Sequence, residues 1–128
     1  MGVEENKATI ERFLSWEAFF GEESLDVVNE VFASDVVLLG PKNEAQRRGP
    51  DAIDLIIEEL KGYRGKDGEI TILEQFAEGE SVVTRYTLQV EETTYGGVTV
   101  SRFADGKIRE YSVLHPVTWD SLEKTAHN

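Results

Sequence analysis

The chain has 128 residues and a formal charge of −12, from 25 acidic and 13 basic side chains. This length fits one domain that buries a single core and lines one small cavity. Such a negative charge repels phosphate backbones and anionic headgroups, so we expect neither nucleic acid nor a membrane as a partner. The absence of cysteine excludes a disulfide framework, a thiol nucleophile and a thiolate metal site.

The N-terminal part has the periodicity of helices. Residues 4–20 carry apolar side chains at helical spacing, and Gly21 is expected to end this first helix. Ser24 is expected to cap a second, short helix. Residues 36–39 then form an apolar run that is typical of a short buried strand.

A third helix is expected between two loops. Residues 42–49 are polar and predict the first loop. Pro50 fits the first turn of the helix, and its apolar stripe continues to Leu60. Residues 62–68 hold three glycines and several charges, which predict the second loop.

From residue 69 the apolar pattern changes to the alternation of strands. Turn signals, Tyr95-Gly96-Gly97 among them, separate four β-rich segments at residues 69–78, 81–92, 98–104 and 107–117. The short separators predict antiparallel neighbours, so the chain predicts one α+β domain over residues 1–128, with three N-terminal helices packed on a curved sheet. The tail from about residue 119 is expected to be partly disordered.

The first residues of the chain have neither the basic nor the apolar region of a secretory signal. No apolar run reaches the roughly 18 residues that a membrane span needs. We therefore expect a cytoplasmic protein.

Five segments carry a resemblance to a known family. They are FLSWE at 13–17, VFASDVV at 31–37, RGPDAI at 48–53, EGESVVTRY at 78–86 and RFADGKIRE at 102–110. In this order and spacing they resemble SnoaL-like and limonene-epoxide-hydrolase-like proteins of the nuclear transport factor 2-like superfamily. The resemblance covers roughly residues 7–117.

The resemblance implies a cone-shaped fold in which the helices and a mostly antiparallel sheet enclose a deep, mostly apolar pocket. It implies a cofactor-independent acid–base isomerase, cyclase or dehydratase (lyase) for a small, largely apolar polyketide- or terpenoid-like metabolite. Family members often pair through the outer sheet face, so a homodimer is expected as well as a small-molecule ligand.

On the second long strand, alternation places Arg85 and Thr87 on one face. The resemblance implies that this face lines the pocket, with Arg85 matching a pocket arginine and Thr87 replacing a catalytic aspartate. The tyrosine and asparagine that position water in the epoxide hydrolases correspond to Leu38 and Gly40. Epoxide hydrolysis by their Asp-Arg-Asp mechanism is therefore disfavoured.

The last strand supplies the other candidates. Arg109, Tyr111, Val113 and His115 are expected to share one face. The resemblance places Tyr111 where relatives have a histidine and Val113 where they have an aspartate.

Four side chains are candidates for catalysis. Arg85 is expected to stabilise a developing enolate or alkoxide, and Tyr111 to donate a hydrogen bond to a carbonyl. His115 titrates near neutrality and is expected to move a proton, and Glu17, if buried, to be the base. Each also has a structural interpretation: an ion pair for Arg85, a rim position for His115, a core position for Tyr111 and a solvated helix edge for Glu17. Substrate contacts are expected from Trp16, Thr87, Leu38, Val113 and Phe103.

An alternative is a non-catalytic module of the same fold that binds a small molecule or dimerises. The absence of an acid at positions 87 and 113 motivates this alternative. Neither interpretation includes a metal or a nucleotide cofactor. Two histidines twelve residues apart make a poor metal site, and no glycine-rich loop joins a strand to a helix.

Overall fold

The computed structural model describes residues 2–40 and 45–118, with side chains described up to residue 113. The elements are α1 Val3–Phe13, α2 Trp16–Phe19, α3 Ser24–Val31, β1 Phe32–Leu39, β2 Ala45–Arg48, α4 Pro50–Lys61, β3 Gly68–Glu78, β4 Ser81–Val90, β5 Thr93–Ala104 and β6 Lys107–Thr118. The predicted α+β class is confirmed. The predicted tail from residue 119 lies outside the described residues.

The first predicted helix is in fact two helices. The Ser15 side chain accepts a hydrogen bond from the Ala18 N–H at 3.3 Å, so Ser15 caps α2 and interrupts the helical run. After this break Trp16 and Glu17 are exposed, whereas Ala18 and Phe19 are buried. The interruption therefore decides which side chains of this segment reach the interior.

All six strands form one sheet in the order β2-β1-β6-β5-β4-β3. The predicted antiparallel meander is confirmed for β3 to β6, and β1 adds to it in parallel with β6. Two loop predictions are wrong. Ala45–Arg48 is an exposed edge strand, and Tyr95-Gly96-Gly97 lies within β5 because the chain turns earlier, where Glu91 has a φ of 56°.

Among the register shifts of the sheet, one lies beside Leu73 in β3 and another beside Arg109 in β6. Such bulges bend a strand and change which residues face inward. The helices pack on one face of the sheet, where the buried apolar side chains form a single cluster. Among the described residues, no helix is both long and apolar enough to cross a membrane.

Candidate functional site

A cavity of about 260 Å³ lies between the inner face of the sheet and helices α1, α2 and α4. Most of its wall is aliphatic or aromatic. The residues that line it are Phe13, Phe19, Leu38, Leu39, Gly40, Gln46, Leu55, Ile56, Glu59, Leu60, Tyr63, Tyr86, Leu88, Tyr111 and Val113. Three phenols, one carboxylate and one carboxamide are thus the polar side chains of this wall.

Tyr111 is placed in the wall by the β6 bulge. Ile108 pairs with Phe103 and Glu110 pairs with Arg102, so Arg109 is an extra residue between them. Ile108 and Tyr111 are consequently both buried, although strict alternation would put them on opposite faces. The expectation that Arg109 shares a face with Tyr111 is wrong for the same reason.

The Tyr111 ring is held by two phenylalanines. Phe13 and Phe32 meet it edge to face, with ring centroids 5.8 and 5.2 Å away. Its side chain is only 5% exposed. The packing fixes the position of the phenol before any ligand arrives.

Tyr86 lies on the inner face of β4 and is 4% exposed. Its neighbour across the strand pair is Gly97, and a Cβ placed there would be 2.6 Å from both Cζ and Oη of the tyrosine. The glycine therefore makes room for the phenol against the β5 backbone.

The end of α4 contributes two further polar groups to the cavity. Tyr63 follows the helix and stacks on Phe19, with ring centroids 5.7 Å apart and an interplanar angle of 29°. Glu59, one turn earlier, is exposed at the rim. The cavity consequently has buried phenols on its sheet side and a carboxylate at its edge.

The environment favours the neutral form of all three phenols. Burial, and secondarily Glu59 and Tyr95, raise the pKa of Tyr63. Burial and the nearby Tyr63 raise the pKa of Tyr86 to about 12. Burial and Tyr86 raise the pKa of Tyr111 well above its usual value. At neutral pH each phenol therefore keeps the proton that it can donate.

Small hydroxyl residues surround Tyr111 on the sheet. Ser101 pairs directly with Tyr111, and Thr99 lies two residues earlier on β5. Both side chains are almost fully buried, and neither hydroxyl has a hydrogen-bond partner of good geometry among the described residues. Thr99 is nevertheless near enough to the Tyr111 hydroxyl to oppose the rise of its pKa.

Of the predicted site residues, the structure brings Tyr111, Leu38 and Val113 together in the cavity wall. Phe103 is buried in the core but does not line the cavity. His115 belongs to β6, and its side chain lies outside the described residues.

The prediction that Arg85 faces the pocket is wrong. Its side chain lies on the outer face of β4, is 54% exposed, and donates a hydrogen bond from Nε to Glu74 Oε1 at 2.7 Å. Thr87 shares that outer face and does not line the cavity either. The inner face belongs to Val82, Tyr86 and their alternating neighbours, because these side chains are the more apolar set.

The predictions for α2 are also wrong. Trp16 is 53% exposed and Glu17 is exposed, and neither lines the cavity. Phe19 is the residue of α2 that reaches the cavity wall. The Ser15 cap explains this difference, since α2 starts there as a separate helix and the apolar spacing of α1 does not continue into it.

A second and larger groove, about 620 Å³ in volume, lies between α3, α4 and the β5–β6 turn. Its charged groups are exposed, and two of them, Arg109 and Asp35, are paired at 3.5 Å. Paired, solvated charges have ordinary reactivity, so the smaller cavity with its buried phenols is the better candidate site. Among the described residues, no group of three His, Cys, Asp or Glu side chains is arranged to hold a metal ion.

Sequence reasoning missed Tyr63, Tyr86, Glu59 and Gln46. For Tyr63 a signal was present: it continues the α4 stripe at seven residues after Ile56, but the glycines around it indicated a loop. For Tyr86 the signal was the apolar face of β4. Gln46 lies on the edge strand that was predicted as a loop, so it had no signal.

Comparison with known proteins identifies the fold and its family. The SnoaL-like domain family matches residues 10–111. A proposed SnoaL-like polyketide cyclase from Jannaschia sp. CCS1 is similar, with 20% identity, a TM-score of 0.70, and coverage of 96% of this chain and 91% of that chain. No curated protein matches this chain.

Two further solved structures have the same fold. An LEH-like epoxide hydrolase from M. tuberculosis has 22% identity and a TM-score of 0.63, over 87% of this chain and 82% of that chain. A proposed ketosteroid isomerase from Kribbella flavida has 18% identity and a TM-score of 0.66, over 87% and 77%. These similarities confirm the predicted nuclear transport factor 2-like architecture.

Proposed function

The chain belongs to the SnoaL-like domain family, and on that premise we propose that it is a cofactor-independent isomerase or cyclase. Its substrate in this proposal is a small, largely apolar metabolite that carries a carbonyl group. The observation that supports it most is the pair of buried, neutral phenols, Tyr86 and Tyr111, in a mostly apolar cavity with Glu59 at its rim. The names of similar structures include polyketide cyclase and ketosteroid isomerase.

The phenols are proposed to hold the carbonyl oxygen. When a proton leaves the neighbouring carbon, the C–H electron pair moves into an enolate and negative charge develops on that oxygen. Fixed hydrogen-bond donors in a cavity with little water stabilise such charge strongly. Because the phenols are themselves hard to ionise, they donate hydrogen bonds without losing their protons.

Glu59 is proposed as the base, since it is the carboxylate of the described cavity wall. It removes the α-proton and returns it to another carbon in an isomerisation. In a cyclisation the enolate carbon instead attacks a second carbonyl of the same substrate, and the proton goes to the new alkoxide. Dehydration would use the same groups. His115 stays a prediction as an additional proton carrier.

This assignment replaces the roles first given to Arg85 and Glu17, whose side chains lie outside the cavity. The described wall contains neither aspartate nor arginine, so we do not propose the Asp-Arg-Asp hydrolysis of epoxides. Non-catalytic binding remains the outcome to be tested against catalysis.

The test is exchange of the α-protons of α-tetralone for deuterium, followed by NMR in D₂O. We expect the wild-type chain to accelerate exchange, and Tyr111→Phe to lower the catalysed rate by about 100-fold. Glu59→Gln should also lose most of the rate. Arg85→Gln is the control on the opposite face and should keep it. If α-tetralone binds to the wild type but its protons exchange no faster than in buffer, the proposed reaction is refuted and the chain is a non-catalytic binding module.

A homodimer through the outer sheet face is proposed as the assembly. Phe76, Val83 and Val100 are direct neighbours on three adjacent strands and form an apolar row on that face. The ion pairs Arg85–Glu74 and Arg102–Glu110 lie on either side of this row. An apolar centre with a charged border is typical of protein interfaces.

Light scattering tests the assembly. We expect a dimer for the wild type and a monomer for Phe76→Lys, because the new charge would be buried without a partner. Leu25→Lys, at an exposed leucine of α3, is the matched control and should stay dimeric. A monomeric wild type contradicts the proposal.

A further inference from the structure

The size of the cavity limits what can bind next to the phenols. A cavity of about 150 Å³ is enough for benzene. At about 260 Å³ the present cavity scales to roughly ten carbon atoms. A compound with one ring or two fused rings fits this volume, whereas four fused rings exceed it.

The charge of the wall limits the ligand in a second way. Glu59 is its acidic side chain, and the described lining residues include no lysine or arginine. A carboxylate or phosphate that entered would bring a full charge into the cavity, would gain hydrogen bonds from the phenols but no counter-ion, and would be repelled by Glu59. The formal charge of −12 on the whole chain acts in the same direction.

The polar groups give the ligand an orientation. Tyr86 and Tyr111 are buried on the sheet side, while Glu59 and Gln46 are exposed at the rim. Apolar side chains such as Leu60 and Leu88 form most of the remaining wall. A ligand therefore places an uncharged acceptor oxygen inward and its carbon skeleton along the wall.

From these three observations we infer that the cavity selects uncharged ketones of one or two rings and rejects both their carboxylate analogues and four-ring ketones. This inference rests on the proposed function, because it concerns the ligand of the same site. Under this inference the expected polyketide- or terpenoid-like substrate is a small member of its class and carries no carboxylate.

Isothermal titration calorimetry with matched probes at pH 7 tests the inference. Acetophenone and benzoate have the same size and differ in charge, and we expect benzoate to bind at least about tenfold more weakly. α-Tetralone should bind at least as well as acetophenone. A four-ring steroid ketone should bind at least about tenfold more weakly than α-tetralone, since it overfills the cavity.

Substitutions of two glutamates in α4 distinguish the effect of the charge at the cavity rim from the effect of the overall charge of the chain. Glu59→Gln should reduce the preference for acetophenone over benzoate. Glu58→Gln removes the same charge from an exposed residue outside the cavity and should leave the preference unchanged. Equal effects of the two substitutions would contradict selection by the rim carboxylate.

Benzoate binding as tightly as acetophenone, or the steroid ketone as tightly as α-tetralone, would overturn the inference. Binding is measured here without turnover. The selectivity can therefore hold while deuterium exchange fails, which would refute the proposed reaction and leave the ligand class in place.

Discussion

The two faces of β4 are built from alternating residues of one strand, yet they have different functions. The inner face presents Tyr86 and Leu88 to the cavity. The outer face presents Arg85, which Glu74 neutralises in contact with solvent. A guanidinium is the more obvious catalytic group by residue type, but exposure and an ion pair leave it little influence on a reaction. Burial raises the pKa of Tyr86 and of Tyr111 in the cavity wall. The position of a side chain on the sheet therefore matters more for its chemistry than its residue type.

Matched leucine truncations test the difference between the faces most strongly. Leu88→Ala, on the inner face, should lower the free energy of unfolding by about 2–5 kcal/mol, since it removes a buried apolar side chain and enlarges the cavity that Leu88 lines. Leu73→Ala, exposed on the outer face, should change it by less than about 0.5 kcal/mol in the monomer. Urea denaturation measures both. Equal losses would show that the outer face is as well packed as the inner one.

Alkaline pH should reveal the buried phenol of Tyr86. Its pKa is about 12 in the folded chain against 10.0 as the ordinary value. Between these values the unfolded chain releases the proton and the folded chain does not. The contribution of Tyr86 to the free energy of unfolding is thus intact below pH 10. It falls by about 3 kcal/mol as the pH rises through the pKa of the folded chain. We expect Tyr86→Phe to flatten the loss of stability in this range, as measured by urea titrations.

Arg85 on the outer face provides the control for this experiment. Arg85→Gln should leave the dependence of stability on alkaline pH as it is in the wild type. Identical pH profiles for Tyr86→Phe and the wild type would mean that the Tyr86 phenol is solvated in solution.

Glycine substitutions in β5 test how tightly the inner face is packed. Gly97→Ala places a Cβ against the Tyr86 ring and should cost about 1–3 kcal/mol of unfolding free energy. Gly96→Ala is the control next to it, because a Cβ there meets no atom within 4 Å. A Gly97→Ala chain as stable as the control would show that Tyr86 has room to move.

A small effect is expected for the outer ion pair. Arg85→Gln should lower the unfolding free energy by less than about 1 kcal/mol, and added salt should shrink the difference further. Denaturation at low and high salt measures this. A large, salt-independent loss would indicate that Arg85 is buried.

The order of elements followed from the sequence because periodicity and turn residues are local properties. The four-strand meander and the helix from Pro50 are examples. The inward face of β4 also had a local signal, since the alternating set with Val82, Tyr86 and Leu88 is more apolar than the set with Arg85. The family resemblance favoured the face of Arg85 instead and led to the wrong assignment.

Other features depend on tertiary structure. The bulge at Arg109 comes from the pairing of β6 with β5. The register of two paired strands depends on both strands, so it could not be predicted from the residues of β6 alone. The edge strand Ala45–Arg48 has polar side chains, and pairing with β1 is what makes it a strand. Tyr111 was predicted in the pocket, but its partners Phe13 and Phe32 come from distant elements.

The most direct test of the central claim, that the inner face carries the chemistry, is a crystal structure with α-tetralone bound. We expect the ketone in the cavity, with its oxygen within about 3.2 Å of the hydroxyl of Tyr86 or Tyr111. A ketone bound on the outer face with its oxygen on Arg85 would contradict the claim.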